Sequence, residues 1–247
     1  MKASASPYLL LIAVLALSGN LARLHAEDIV VLKDGQRRPG VILGIAKEQL
    51  KLKVGPVETS VPMAQVVSVT MDPPKAYADA LEQWKTGDAA KTLAILKPLV
   101  DKFLGLPTPW AERAAALLGD VYLALDKIPD AEAAFKAVQT AYPNSDSLSN
   151  IGLARLAVAK SDYASARGKL VPILEEAASV KVAPAGKSAM YGQAFYLMGV
   201  IRESEGTLPE ALQDYLTTVT LFHEDEVVAA KAQERADILI EKNVIVP

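Results

Sequence analysis

The chain contains no cysteine and only two histidines, His25 and His223. Without cysteine there are no disulfides, no thiol nucleophiles, no thiolate metal sites and no lipidated cysteine. His25 lies in a stretch read below as removable. The one histidine left is too small an inventory for Ser-His or Cys-His catalysis or for a histidine/cysteine metal centre. Aromatic residues make up 6% of the chain, and none falls between residues 27 and 72. Net charge is low, with 26 basic residues against 29 acidic ones. Loss of residues 1–26 would remove Lys2 and Arg23 and no acid, taking the balance from −3 to −5. Such a chain lacks the cation excess from which nucleic-acid binders draw their affinity. Long apolar runs are missing too. The longest, Tyr8 to Leu17, is far below the roughly 20 residues that cross a bilayer.

That short run does have a context. Lys2 precedes it, Ser18-Gly19-Asn20 break it, and Leu24-His25-Ala26 offers a cleavage site, the layout of a secretory signal peptide over residues 1–26. The alternative is a retained membrane anchor. Export with cleavage, to a periplasmic or envelope-associated location and with no membrane span in the mature chain, is the expectation.

Residues 27–72 read with the period of strands. Asp28 to Lys33 is rich in β-branched residues, and Asp34-Gly35 follows as a hairpin turn. Val41 to Ile45 forms a second strand with Gly40 and Gly44 as bend or bulge points. Gln49 to Val54 alternates Leu50, Leu52 and Val54 with Lys51 and Lys53, the pattern of a half-buried strand. Gly55-Pro56 turns the chain into Val57 to Val61, and Val66 to Met71 is a fifth strand. Pro39 demands an edge or a bulge. Lys33, Arg37, Arg38, Lys47, Lys51 and Lys53 give the module a basic look. Without aromatic platforms for bases, a solvated strand face is the better reading than a nucleic-acid surface. Leu32-Lys33-Asp34-Gly35, Gly40-Val41-Ile42 and Val61-Pro62 resemble the SH3-like or Sm-like modules that follow signal peptides in bacterial envelope proteins. The resemblance implies a small five-stranded β-barrel.

Asp72-Pro73-Pro74 ends the strands and prepares a helix start. Beyond it, residues 73–247 read as helix pairs at about 75–103, 112–145, 147–180 and 192–225, then a capping helix at 226–242. Ala80, Gly119, Ala154 and Gly199 occupy equivalent positions, separated by 39, 35 and 45 residues. Pro98 is expected to kink the second helix or delay its start. Val227, Ala230, Ala236, Ile238, Leu239 and Ile240 are expected to face inward or to cap. The second pair is the clearest. Ala115, Leu118, Gly119 and Tyr122, then Ala131 and Phe135, then Pro143, resemble the tetratricopeptide (TPR) signature, with Ala115 in place of its tryptophan. The resemblance implies an α+β, mainly α chain: a TPR-like solenoid of helical hairpins behind the β module. Its last pair and end helix are similar to the arrays of envelope-assembly and division-coordination TPR proteins.

No motif points to catalysis, a metal or a cofactor. Gly186-Lys187-Ser188 lacks the first glycine of a phosphate loop, since position 181 is Lys181. Glu224-Asp225-Glu226 is better placed to open a helix, where acids oppose the positive dipole end, than to hold a cation. The resemblance implies a non-catalytic adaptor that docks a partner peptide or helix in a concave groove lined by the first helix of each pair. The repeat offsets place Tyr77, Trp84, Arg113, Asp120, Leu123, Ile151, Arg155, Tyr196, Val200 and Glu203 along it. For Tyr77 and Trp84, packing against the second helix is the competing reading. The charged positions are the stronger candidates, because burying them without a partner is costly. The rival function is a structural component that self-assembles through the β module or the end helix. Sugar or peptidoglycan binding ranks below both, for want of aromatic clusters.

Overall fold

The computed structural model describes residues 27–143, 146–184 and 186–246, so residues 1–26, where the sequence leads us to expect a signal peptide, lie outside the described residues. Five strands come first: β1 (Asp28–Leu32), β2 (Arg37–Ala46), β3 (Gln49–Val54), β4 (Val57–Pro62) and β5 (Val66–Thr70). A 3-10 turn at Met63–Gln65 separates the last two. They form an antiparallel sheet in the order β4-β3-β2-β1-β5, open in that β4 and β5 are its two ends. The alternation read from the sequence holds over most of β3, where Leu50 and Leu52 are buried and Lys51 and Lys53 exposed, but Val54 at the strand end is exposed rather than inward. Pro39 lies opposite Ile29 on the part of β2 before pairing with β3 begins at Val41, so that stretch has a ladder on one side only. The β2–β3 register shifts between Ile42 and Gly44, a bulge at the expected glycine.

Among the described residues nine helices follow: α1 (Lys75–Lys85), α2 (Ala89–Phe103), α3 (Pro109–Ala124), α4 (Ile128–Ala141), α5 (Asp146–Ala159), α6 (Tyr163–Ser179), α7 (Ser188–Ser204), α8 (Leu208–Leu221) and α9 (Glu226–Glu241). Two starts precede the expected ones. Pro109 opens α3 at a position where its missing N–H is not needed, and α7 begins at Ser188 rather than 192. The helix α2 starts promptly at Ala89, with the Asp88 side chain accepting a hydrogen bond from the Lys91 N–H, and runs through Pro98.

The first four hairpins close with one repeated turn. Gly87, Asp126, Ser161 and Gly206 each lie seven residues beyond the small residue of their pair, and each has a left-handed backbone. The next amide, of Asp88, Lys127, Asp162 and Thr207, donates to the carbonyl five residues back, at Gln83, Tyr122, Ala157 and Arg202. This is the hydrogen bond that satisfies orphan carbonyls at a helix end. The packing repeats as well. Nine residues after each turn residue stands Leu96, Phe135, Leu170 or Tyr215, all fully buried. Phe135 and Tyr215 lie on Gly119 and Gly199 of the preceding helix, and Leu96 and Leu170 stand at the same offset from the buried Ala80 and Ala154.

Consecutive helices pack on one another, and α3 also packs on α5, α5 on α7 and α7 on α9. The helices α3, α5, α7 and α9 therefore form a contiguous layer. Between α2 and α4 a cleft of about 200 Å³ opens instead, floored by Ala115, Leu118 and Tyr122 of α3. The sheet shares its core with the first helices. Val30, Ile42, Leu50 and Leu52 belong to one buried cluster with Leu96, Phe103 and Trp110. The Trp110 Nε1–H donates to the Met71 carbonyl at 3.2 Å. At the far end α9 covers α7 and α8, with Ala232, Ala236 and Leu239 buried. Val227 and Ile240 are about half exposed and Ala230 is exposed as well, contrary to expectation, because α9 has a neighbour on one side only. Among the described residues no helix is long and apolar enough to cross a membrane.

Candidate docking groove

The ten positions read from the repeat offsets fall mostly on the odd-helix layer, in two patches. The first is on α1 and α3. Tyr77 and Trp84 are half-buried against the core, and the Tyr77 ring lies 6.1 Å from that of Trp110. Burial raises the Tyr77 pKa, opposed by the nearby Arg113 cation. Arg113 itself is exposed. Leu123 is half-buried on the same cluster. Packing therefore accounts for much of the two aromatic side chains.

The second patch spans α3, α5, α7 and α9. Asp120 on α3 accepts from the Arg155 guanidinium on α5, with side chains 19% and 23% exposed. Glu203 on α7 accepts from Arg235 on α9, through Nε at 3.0 Å and through Nη2, and also from the Tyr215 hydroxyl at 2.8 Å. Tyr196 lies between these two bridges, 5.9 Å from the Tyr215 ring. Burial raises its pKa, opposed by Arg235. Burial and the Glu203 carboxylate raise that of Tyr215. Burial disfavours the Arg155 cation, but the Asp120 carboxylate outweighs it and holds the guanidinium charged. Val200 is half-buried beside the cluster around Tyr215.

Two expectations need correction. Ile151 is 1% exposed and belongs to the core with Ala154 and Leu170. It occupies the register of Tyr77 and Tyr196, but α5 is packed between α3 and α7, and an isoleucine there does not reach past them. The charged positions Asp120, Arg155 and Glu203 do not await an outside partner. Each is ion-paired within the chain, which offsets much of the cost that made them candidates, although the Asp120 Oδ1 is buried with no hydrogen-bond partner among the described residues. Arg113 alone of the four charged positions is exposed and outside such a bridge.

Arg235 was missed by the sequence reading, which treated α9 as a cap; nothing in the spacing within one repeat indicates a bridge to the next. A cleft of about 440 Å³ on the β module was also missed. It is lined by Leu43 and Gly44 at the β2 bulge, by Lys51, Glu58 and Ser60, and by Lys102 of α2. Gly44 was its only sequence signal. The basic look of the module needs correction too. Glu27, Asp28, Asp34, Glu48, Glu58 and Asp72 balance its six cations, so its charge is locally patterned but not net positive. The acids at 224–226 open α9, where the Asp225 carboxylate accepts from the Val228 N–H at 3.2 Å. No family model matches this chain, and neither a curated protein nor a solved structure shows a match to it.

Proposed function

We propose that this chain is a non-catalytic adaptor of the periplasm or outer envelope, and that the odd-helix layer is the floor of a concave groove that docks a partner peptide or helix. The observation that carries the reading is the side-by-side packing of α3, α5, α7 and α9 beside a row of even helices that stand further apart. A stack of hairpins with one continuous layer curves toward that layer. The half-buried Tyr196 and Val200 and the exposed Arg113 then face a partner. The bridges Asp120–Arg155 and Glu203–Arg235 hold the floor rigid and lower what an incoming segment must order. The export expected from residues 1–26 supplies the compartment.

The test is chemical cross-linking and affinity recovery from an envelope fraction. Arg113→Glu and Tyr196→Ala, each with an unchanged melting curve, are expected to abolish recovery of a groove partner. The exchanged pair Asp120→Arg with Arg155→Asp keeps the bridge and serves as the folding control. Undiminished recovery by both groove variants would overturn the reading.

A further inference from the structure

The 440 Å³ cleft on the β module has a definite chemistry. Lys51 and Lys102 stand on its walls with Leu43 beside them, and Glu58 is its single acid. The Lys51 ammonium reaches only the neutral Ser60 hydroxyl, at 2.8 Å, and the Lys102 ammonium lies 4.9 Å from the Phe103 ring centre. Lys53 and the half-exposed Val41, paired across β2 and β3, extend the same sheet face. An occupant has to bring carboxylates and aliphatic carbon together.

The outer face of α9 carries that combination. Asp237, Glu241 and Ile240 are exposed within one turn, and Glu226 and Val227 are exposed at the other end of the helix. Four exposed acids, Glu226, Glu234, Asp237 and Glu241, stand there against one exposed lysine, Lys231. The two surfaces cap opposite ends of the element order. The β module packs on α2, whereas α9 packs on α7 and α8. A surface at one end that complements a different surface at the other makes a heterologous contact, which repeats from copy to copy.

We infer that the cleft between the β module and α2 docks the α9 outer face of a second copy of this chain, so that the protein associates head to tail. The contact is of the electrostatically steered kind, fast to form and weakened by salt. It is independent of the groove proposed above, because none of the ten groove positions lies in it.

Sedimentation velocity over a concentration series tests it on the purified protein in low and high salt. The wild type is expected to show a mean size that rises with concentration in low salt and falls back to the monomer in high salt. Lys51→Glu/Lys102→Glu disables the cleft, and Asp237→Asn/Ile240→Asn/Glu241→Gln neutralises the helix. Each variant is expected to need at least about tenfold more protein to associate. Mixed in equal amounts, they retain one intact cleft and one intact helix face and are expected to stop at a one-to-one complex. All substituted positions are exposed, and melting curves confirm folding. A wild type that stays monomeric, a cleft variant that associates like the wild type, or a mixture that forms no complex would overturn the inference. A monomeric wild type that binds an acidic peptide through Lys51 and Lys102 would give the cleft to a foreign partner instead.

Discussion

Phe135 of α4 lays its ring directly on Gly119 of α3, and a methyl group added at Gly119 would overlap that ring. Gly152 of α5 meets the same ring at its Cδ1–Cε1 edge, so Phe135 touches glycines from two neighbouring helices. The same spacing of sixteen residues recurs in each of the four hairpins among the described residues. Where the later residue is aromatic, Phe135 or Tyr215, the earlier one is Gly119 or Gly199. Where it is Leu96 or Leu170, the earlier one is Ala80 or Ala154. Volume is conserved across the crossing while the residues change, as close packing requires.

Gly119→Ala should therefore destabilise the protein although alanine favours helix. The propensity gain is about 1 kcal/mol, whereas overpacking a closed core costs roughly 1–3 kcal/mol or more. The Phe135 ring, 1% exposed and backed by Gly152, has nowhere to move. A net loss of up to about 2 kcal/mol in urea unfolding is expected. Gly119→Ala with Phe135→Leu recreates the combination of the first and third hairpins and should recover part of that loss. A double variant no more stable than the single one would show that the pairing is not a volume rule.

The bridge between Asp120 and Arg155 joins α3 to α5 with both side chains about four-fifths buried. Removing one partner strands a charge, so Asp120→Ala should cost about 2–4 kcal/mol. The exposed Lys97–Asp101 pair along α2 should be worth under ~0.5 kcal/mol. Double-mutant cycles on both pairs measure the difference. Equal coupling energies would mean that the odd-helix layer is not held by its charges.

These two pairs also mark what the sequence conveys and what it withholds. The Gly119–Phe135 crossing was legible because sixteen residues with a turn between them is local information. The same offset located Ala80, Ala154 and Gly199, and with them the hairpins. Asp120–Arg155 and Glu203–Arg235 join different hairpins, 35 and 32 residues apart. Their partners depend on how one hairpin is rotated on the next, which no single-repeat pattern encodes. So the charged positions do lie on the odd helices, but they are ion-paired within the chain rather than awaiting a partner. Ile151 failed for a related reason: it is buried in a cluster that includes α7 of the next hairpin as well as α6 of its own. The β-module cleft depends on the approach of α2, and of that only the bulge glycine was visible.

Gly44 is the point where α2 meets the sheet. Its backbone has φ +136°, and a Cβ there would lie 2.8 Å from both the carbonyl oxygen and the Cγ of Lys102. Gly44→Val is expected to lever the sheet away from α2 while leaving α3–α9 folded. Hydrogen exchange should rise over β1–β5 and the C-terminal turn of α2, with α7–α9 unchanged. Exchange that rose equally in α8 would mean that the shared core unfolds as one unit rather than parting at this seam.

Asp214 on α8 sets the last expectation. It is 4% exposed, its Oδ1 accepts from the Arg202 guanidinium of α7 at 2.8 Å, and its Oδ2 has no hydrogen-bond partner among the described residues. Burial pushes its pKa from the ordinary 3.8 up to about 7, against the pull of Arg202 and, from α6, Arg167; Glu210 on α8 adds to the rise. With the folded pKa above the unfolded one, the native state holds a proton that the unfolded chain has released between those values. Stability from this group therefore falls as pH rises from about 4 to about 7, by at most ~1.4 kcal/mol per pH unit, and is level above that. Asp214→Asn keeps the size and one acceptor and removes the titration. Relative to the variant, the wild type should lose urea resistance between pH 5 and pH 8. The variant should be the more stable of the two at pH 8, provided the amide oxygen still meets Arg202. A wild-type profile parallel to that of Asp214→Asn would show that Arg202 holds the carboxylate ionised throughout, and that the buried pair is an ordinary salt bridge.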